Sequence, residues 1–302
     1  MRLRTTCTTM IILLTCCLAM EATAGTAADT FQKGQTLLAE GDFKGAIEAF
    51  EAAAKAQPAN SDYFREAAVL RRVITIRQQL KTEQNAGNWE RLSSALYNYY
   101  RQHEVYQEAL ALAGTYHERI DNAESAAMLA DAHLCLEQNK EAAELLGALD
   151  KSKCSPHTHA LHGVALARLE QLDSAKAAAA RVEIPKDCTA RLCFDVARLY
   201  ALTGDSARAL DLLKCCFENT PDARLAVIKS EAKECDDLSR LSDDKTFAKV
   251  MLAKSKVKGG CGGCSGSCSK GKTGCSPKET GKSCTGHEKQ GDKTPACDGH
   301  KK

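Results

Sequence analysis

The chain has 302 residues, a formal net charge of +2, only 5% aromatic residues and six prolines. Such a length holds one large or two modest domains, and a chain rich in Ala and Leu but poor in Pro favours packed helices over sheets. The near-neutral total says little about partners, but the charge is unevenly spread: residues 254–302 carry eleven Lys against four acids, and residues 25–253 are net acidic.

Residues 1–24 have the layout of a secretory signal. Arg2 and Arg4 precede a short apolar run from Met10 to Met20, and Ala22-Thr23-Ala24 offers a small-x-small cleavage site, with cutting expected after Ala24. The run is too short for a stable membrane anchor. A lipid anchor on Cys16 or Cys17 fits less well, because Thr15 stands where a small residue is normally required. The expectation is an exported protein, periplasmic or secreted, with no transmembrane span after signal removal.

Gly34 to Pro58 reads as two short helices around a tight Gly41-Asp42 turn. Phe43 opens the second helix, Ala46, Phe50 and Ala53 share one face, and Pro58 ends the unit. Ser61 to Gln84 is expected to be a longer helix with an apolar stripe of Phe64, Ala68, Val69 and Val73. Gly87-Asn88-Trp89 looks like a second copy of the Gly41-Asp42-Phe43 turn, yet Tyr106, Ala109 and Ala113 also fit a second-helix pattern only 17 residues after Gly87, so the register is ambiguous from 71 to 123. It recovers with Leu129-Ala130, then Ala142 and Leu146, then Gly163 with Leu172, Ala175 and Ala179. The last unit has Ala197, Tyr200, Gly204-Asp205, Ala209, Leu213 and Pro221. Glu137, Glu170 and Gly204 fall at equivalent turns 33 and 34 residues apart. Glu231 to Ala253 is read as one closing helix with Leu238, Leu241, Phe247 and Val250 on its apolar face.

This pattern resembles the tetratricopeptide repeat, a helix–turn–helix unit of about 34 residues, over 25–253. The resemblance implies an all-α solenoid of antiparallel helix pairs, acting as a non-catalytic scaffold that binds a protein or peptide partner. It also implies a groove lined by the first helices, near Leu37, His133, Leu166 and Tyr200. No nucleic-acid motif, phosphate loop or nucleophile elbow is evident.

Cys154, His157, His159 and His162 form the one local group of ligand-capable residues in the body. Ser155-Pro156 is an ordinary helix start, and His159 and His162 then fall at repeat positions that normally pack or line the groove, so a metal site is not expected there. Seven body cysteines cannot all pair with one another; Cys193 with Cys216 is the expected disulfide if one forms, although Cys216 at an inward small-residue position reads by itself as a buried thiol.

Residues 254–302 break in composition to Gly, Ser, Lys, Thr and Cys and are expected to be disordered. Cys261, Cys264, Cys268, Cys275, Cys284 and Cys297, with His287 and His300, are candidate ligands for Zn or Cu(I) through the tail. The alternative function is therefore metal handling or thiol buffering. An oxidoreductase built on Cys261-Gly262-Gly263-Cys264 lacks the βαβ surroundings that chemistry favours.

Overall fold

The computed structural model describes residues 27–185 and 188–257. The expected signal segment and the cysteine-rich tail lie outside them. The described residues belong to one compact unit, contain no strand, and form an α-helical solenoid. Its helices are α1 (27–39), α2 (Phe43–Ala56), α3 (Ser61–Leu80), α4 (Ala86–Gln102), α5 (Tyr106–Ile120), α6 (Ala123–Cys135) and α7 (Asn139–Gly147). There follow α8 (Pro156–Arg168), α9 (Leu172–Ala179), α10 (Ala190–Thr203), α11 (Ser206–Glu218), α12 (Asp222–Glu234) and α13 (Lys245–Val250), with a 3-10 turn at Asp236–Leu241 between the last two.

Five helix pairs among the described residues share one turn geometry. The turn residue has positive φ each time: Gly41 (84°), Glu104 (60°), Glu137 (59°), Glu170 (61°) and Gly204 (90°). In each, the amide after that residue donates to a carbonyl five residues back: Asp42 to Leu37, Val105 to Tyr100, Gln138 to His133, Gln171 to Leu166 and Asp205 to Tyr200, at 2.8–2.9 Å. This is the six-residue closure that satisfies the last carbonyls of a helix. Glutamate is strained at positive φ, so its use at three of the five turns shows that pair packing, and not turn chemistry, sets the repeat.

The ambiguous stretch resolves into an unpaired α3 followed by the pair α4–α5. Gly87 is not a turn: Asn85 caps α4 by accepting from the Asn88 amide, which puts Gly87 in the first helical turn. The true turn is at Glu104, 33 residues before Glu137. The stripe expected on α3 is rotated. Tyr63, Ala67, Leu70 and Val73 are buried, whereas Phe64 and Val69 are exposed. Tyr63 sets that rotation by stacking on Phe31 of α1, with ring centroids 4.6 Å apart.

Small residues allow the close approaches. A Cβ on Gly34 would lie 2.6 Å from the Phe50 ring, and one on Gly163 would lie 2.7 Å from a Leu199 methyl. The first helices of successive pairs therefore stack directly, α6 on α8 and α8 on α10, besides packing on their own second helices. The expected single closing helix is instead α12, the 3-10 turn and α13. Cys235 is extended between them, and Asp244 starts α13 afresh by accepting from the Thr246 amide. Leu238, Leu241, Phe247 and Val250 are buried in the terminal core as expected.

Candidate functional site

The first helices α4, α6, α8 and α10 converge on a buried ion cluster. Asp195 of α10 is fully buried and accepts from three donors: Arg191 Nε at 2.8 Å, Arg198 Nη1 at 3.0 Å and His157 Nε2 of α8 at 2.9 Å. Asp131 of α6 accepts from Arg191 Nη2 at 3.2 Å and from the Tyr97 hydroxyl at 2.8 Å. Asp237 accepts from Arg168 Nε and Arg198 Nε, each at 2.8 Å. Arg168 also donates from Nη1 to the Leu134 carbonyl at 2.9 Å, tying α8 to α6.

The fourth carboxylate comes from α12. Glu231 Oε1 accepts from Arg101 Nη2 of α4 at 3.0 Å and from Arg191 Nη1 of α10 at 2.9 Å. Arg224 of α12 reaches Gln102 of α4 at 3.5 Å. Helix α12 thus crosses back from the last pair to α4 and lies over the face made by the first helices. Four arginines meet four carboxylates there, so the cluster is neutral apart from His157, which is the condition for keeping charges out of water.

Burial alone would raise the carboxyl of Asp131; Arg191 and Arg101 outweigh it and hold the group below the usual range. Asp195 is held well below that range by Arg191, the His157 bond and Arg198 against the same burial effect, and Asp237 is held low by Arg198 and Arg168. Burial likewise opposes protonation of His157, but the Asp195 bond and charge, with Asp131, win and raise its pKa above 6.5. Burial and the Asp131 charge push the Cys135 thiol up to about 11. Each of these carboxylates is bonded to at least one guanidinium, so the arrangement suits holding helices in register or receiving a charged segment.

A pH test follows for His157. A group whose pKa is raised on folding contributes its full stabilisation below the unfolded value of about 6.5 and loses it as pH rises through the folded value. Urea midpoints measured from about pH 6 to about pH 9 should fall above neutrality in the natural chain, and His157→Gln should flatten that fall. An equal slope in both proteins would rule the histidine out as its source.

Leu37, His133, Leu166 and Tyr200 share one register position, the carbonyl acceptor of the pair turn, and Leu166 and Tyr200 meet in one hydrophobic cluster between neighbouring pairs. Leu37 approaches Gly45 of α2, His133 Nδ1 lies 2.7 Å from Gln138, Leu166 belongs to the cluster that also holds Ala175 and Ala179 of α9, and the Arg208 guanidinium lies over the Tyr200 ring. The tail ligands Cys261, Cys264, Cys268, Cys275, Cys284, His287, Cys297 and His300 lie outside the described residues. His157 is taken by Asp195. The disulfide expected between Cys193 and Cys216 is not formed; Cys193 pairs with Cys188, and Cys216 is fully buried. The reason is placement: Cys188, just ahead of α10, is brought over the first turn of that helix. The signal sequence reasoning missed is the run Arg191, Asp195, Arg198, whose i,i+4 and i,i+3 spacing is shared by ordinary exposed ion pairs.

Residues 31–60 match the family model described as "Tetratricopeptide repeat", covering α2 and most of α1. No curated protein sequence matches the chain. Among solved structures, the chain is similar to a thermophilic TPR protein of Thermus thermophilus, at 20% identity over 68% of this chain and 97% of that one, with a TM-score of 0.32. It is also similar to YrrB, described as a TPR protein with an unusual peptide-binding site, at 17% identity over 67% and 90% of the two chains, with a TM-score of 0.27. Such scores mean loose superposition, and the repeat assignment beyond residue 60 rests on the shared turns and stacking described above.

Proposed function

We propose that the chain is a non-catalytic scaffold of the exported compartment that holds a peptide or helix against the face made by α4, α6, α8 and α10. The observation that carries this reading is Glu231 of α12, seated between Arg101 and Arg191. A helical segment anchored by one carboxylate already lies where a partner would lie. Ala232 is the one fully buried residue of α12, Leu225 and Ile228 are only partly buried against the terminal core, and no side chain caps its N-terminus, so the Glu231 contacts are the specific tie a partner would have to replace. A partner segment with a suitably placed carboxylate would take over both arginines.

Selection of displayed peptides on the intact chain tests this. Enriched peptides should share an acidic position, and Glu231→Gln, which weakens the internal occupant, should tighten their binding by about tenfold, a difference of about 1.4 kcal/mol. Peptides that bind equally well to both proteins, or no enrichment at all, would count against the reading. Export rests on the Met1–Ala24 segment, and the secreted product should begin at Gly25 on N-terminal sequencing; a chain retaining Met1 refutes it.

Metal handling through the tail is a second reading. It is favoured by where the chain leaves the repeat body: the Lys256 amide donates to the Glu218 carbonyl and its Nζ pairs with the Glu218 carboxylate, each at 2.8 Å, one helical turn beyond Cys215. Elemental analysis of the reduced chain, with and without serine at the six tail cysteines, decides it.

No helix among the described residues is long and apolar enough to cross a membrane.

A further inference from the structure

The end of the α10–α11 pair opposite the Gly204 turn gathers three sulfurs. Cys188 lies in the segment entering α10, where its amide donates to the Pro185 carbonyl at 3.1 Å. Cys193 is in the first turn of α10, and Cys215 is in the last turn of α11. Cys188 and Cys193 are joined as a disulfide. The Cys215 sulfur lies 3.7 Å from the first and 3.6 Å from the second, and all three lie within 4.8 Å of one another. Among the described residues this is the one group of three ligand atoms so placed.

Those separations fit a shared ion. Thiolates about 2.3 Å from one metal stand roughly 3.8 to 4.0 Å apart, in tetrahedral or trigonal arrangement. Two of the three edges are already near that length. The Asn219 side-chain amide donates to the Cys188 carbonyl at 3.2 Å and to the Cys215 sulfur at 3.4 Å, which orients the ligand as outer partners of metal sites do. Cys188 and Cys193 are buried while Cys215 is partly exposed, so one side of the group is open to an entering ion. Three sulfurs with no fourth protein ligand in the group suit the low coordination number and softness of a d10 monovalent ion better than Zn, which takes four ligands.

We propose that in its dithiol form the chain binds one Cu(I) ion between Cys188, Cys193 and Cys215, and that the Cys188–Cys193 disulfide is the closed form of the same site. Closing it is a two-electron oxidation. A small-molecule disulfide accepts the two electrons: the Cys188 and Cys193 thiolates break their bonds to the ion as the new sulfur–sulfur bond forms between them, the small disulfide's own sulfur–sulfur bond breaks, its two thiolates leave and take protons from water, and the ion is released. Cys215 is left as a single thiol, too few ligands to retain it.

The test uses the full-length chain with the six tail cysteines changed to serine, so that the tail and the body are read separately. Reduced under argon with a phosphine, it should bind one equivalent of Cu(I) in competition with a chromophoric chelator, and X-ray absorption should report three sulfur neighbours. Adding Cys215→Ser should weaken binding at least about 100-fold, and Asn219→Ala about 10-fold, whereas Cys135→Ser should change nothing. Treatment with a small disulfide beforehand should abolish binding. The absorption measurement needs no substitution in the repeat body, so misfolding of Cys215→Ser leaves the question answerable. No bound Cu(I), coordination by fewer than three sulfurs, or binding indifferent to Cys215→Ser would overturn the proposal, and tighter Zn(II) than Cu(I) binding would overturn the choice of ion.

Discussion

Asp195→Ala is expected to lower stability by about 3–5 kcal/mol, the usual cost of breaking a buried ion pair from one side. For a repeat body of this size that corresponds to roughly 6 to 20 °C in melting temperature. The loss comes less from the missing attraction than from what remains. Arg191 and Arg198 keep their burial but lose the carboxylate between them, and His157 loses its hydrogen bond. Asp195→Asn keeps the shape and one acceptor, so it should cost less than alanine while still leaving an excess positive charge. Thermal and urea melts of both variants measure this. A loss below about 1 kcal/mol for alanine would show that water reaches the cluster and that it behaves as a surface pair. The pH dependence supplies a second check. The pKa of Asp195 is depressed on folding, so its contribution is complete above the unfolded value near 4 and is lost as pH falls below that. The natural chain should therefore weaken steeply in acid, and the alanine variant less so.

Gly163→Leu is expected to destabilise the stack by about 3 kcal/mol or more, at the upper end for overpacked cores. Even one added carbon would stand 2.7 and 2.8 Å from the two Leu199 methyls. Leu199 is completely buried and belongs to the core between α8 and α10, so it has no free space to turn into. The exchange should be partly reversible by volume. Leu199→Ala alone removes core contacts at a cost of about 2–5 kcal/mol, but in the double variant the new leucine fills that space. The two losses should then fall well short of additive, by about 1–3 kcal/mol. Additive losses in urea melts would mean that the α8–α10 contact does not determine the outcome.

The two ends of the repeat array were legible because small inward residues and breaking residues fall together there. Gly34 with Pro58, and Gly163 with Gly204 and Pro221, mark sites where backbones meet or chains turn. The middle was not, for a physical reason: Gly87-Asn88-Trp89 copies a turn motif inside a helix started two residues earlier by Asn85, while the actual turn at Glu104 uses a residue that gives no turn signal. The ion cluster was hidden in the same way. Charges spaced three and four apart on α10 look alike whether they face water or a neighbouring helix. They face α8 and the closing segment, where Asp237 of the 3-10 turn meets Arg198 and Glu231 of α12 meets Arg191, and the charged residues of that segment read in sequence as a solvated end.

The return of α12 to α4 has a consequence for how the molecule comes apart. An open stack of helix pairs frays inward from either end, because each layer touches only its neighbours. Here Glu231 and Arg224 fasten the last layer to one three pairs earlier, so the linear array is buckled into a ring from α4 to α12. Peeling the C-terminal layer requires the buckle to open first, and the layers inside it should exchange their amide hydrogens as one block, while α1 and α2, outside the buckle, exchange on their own.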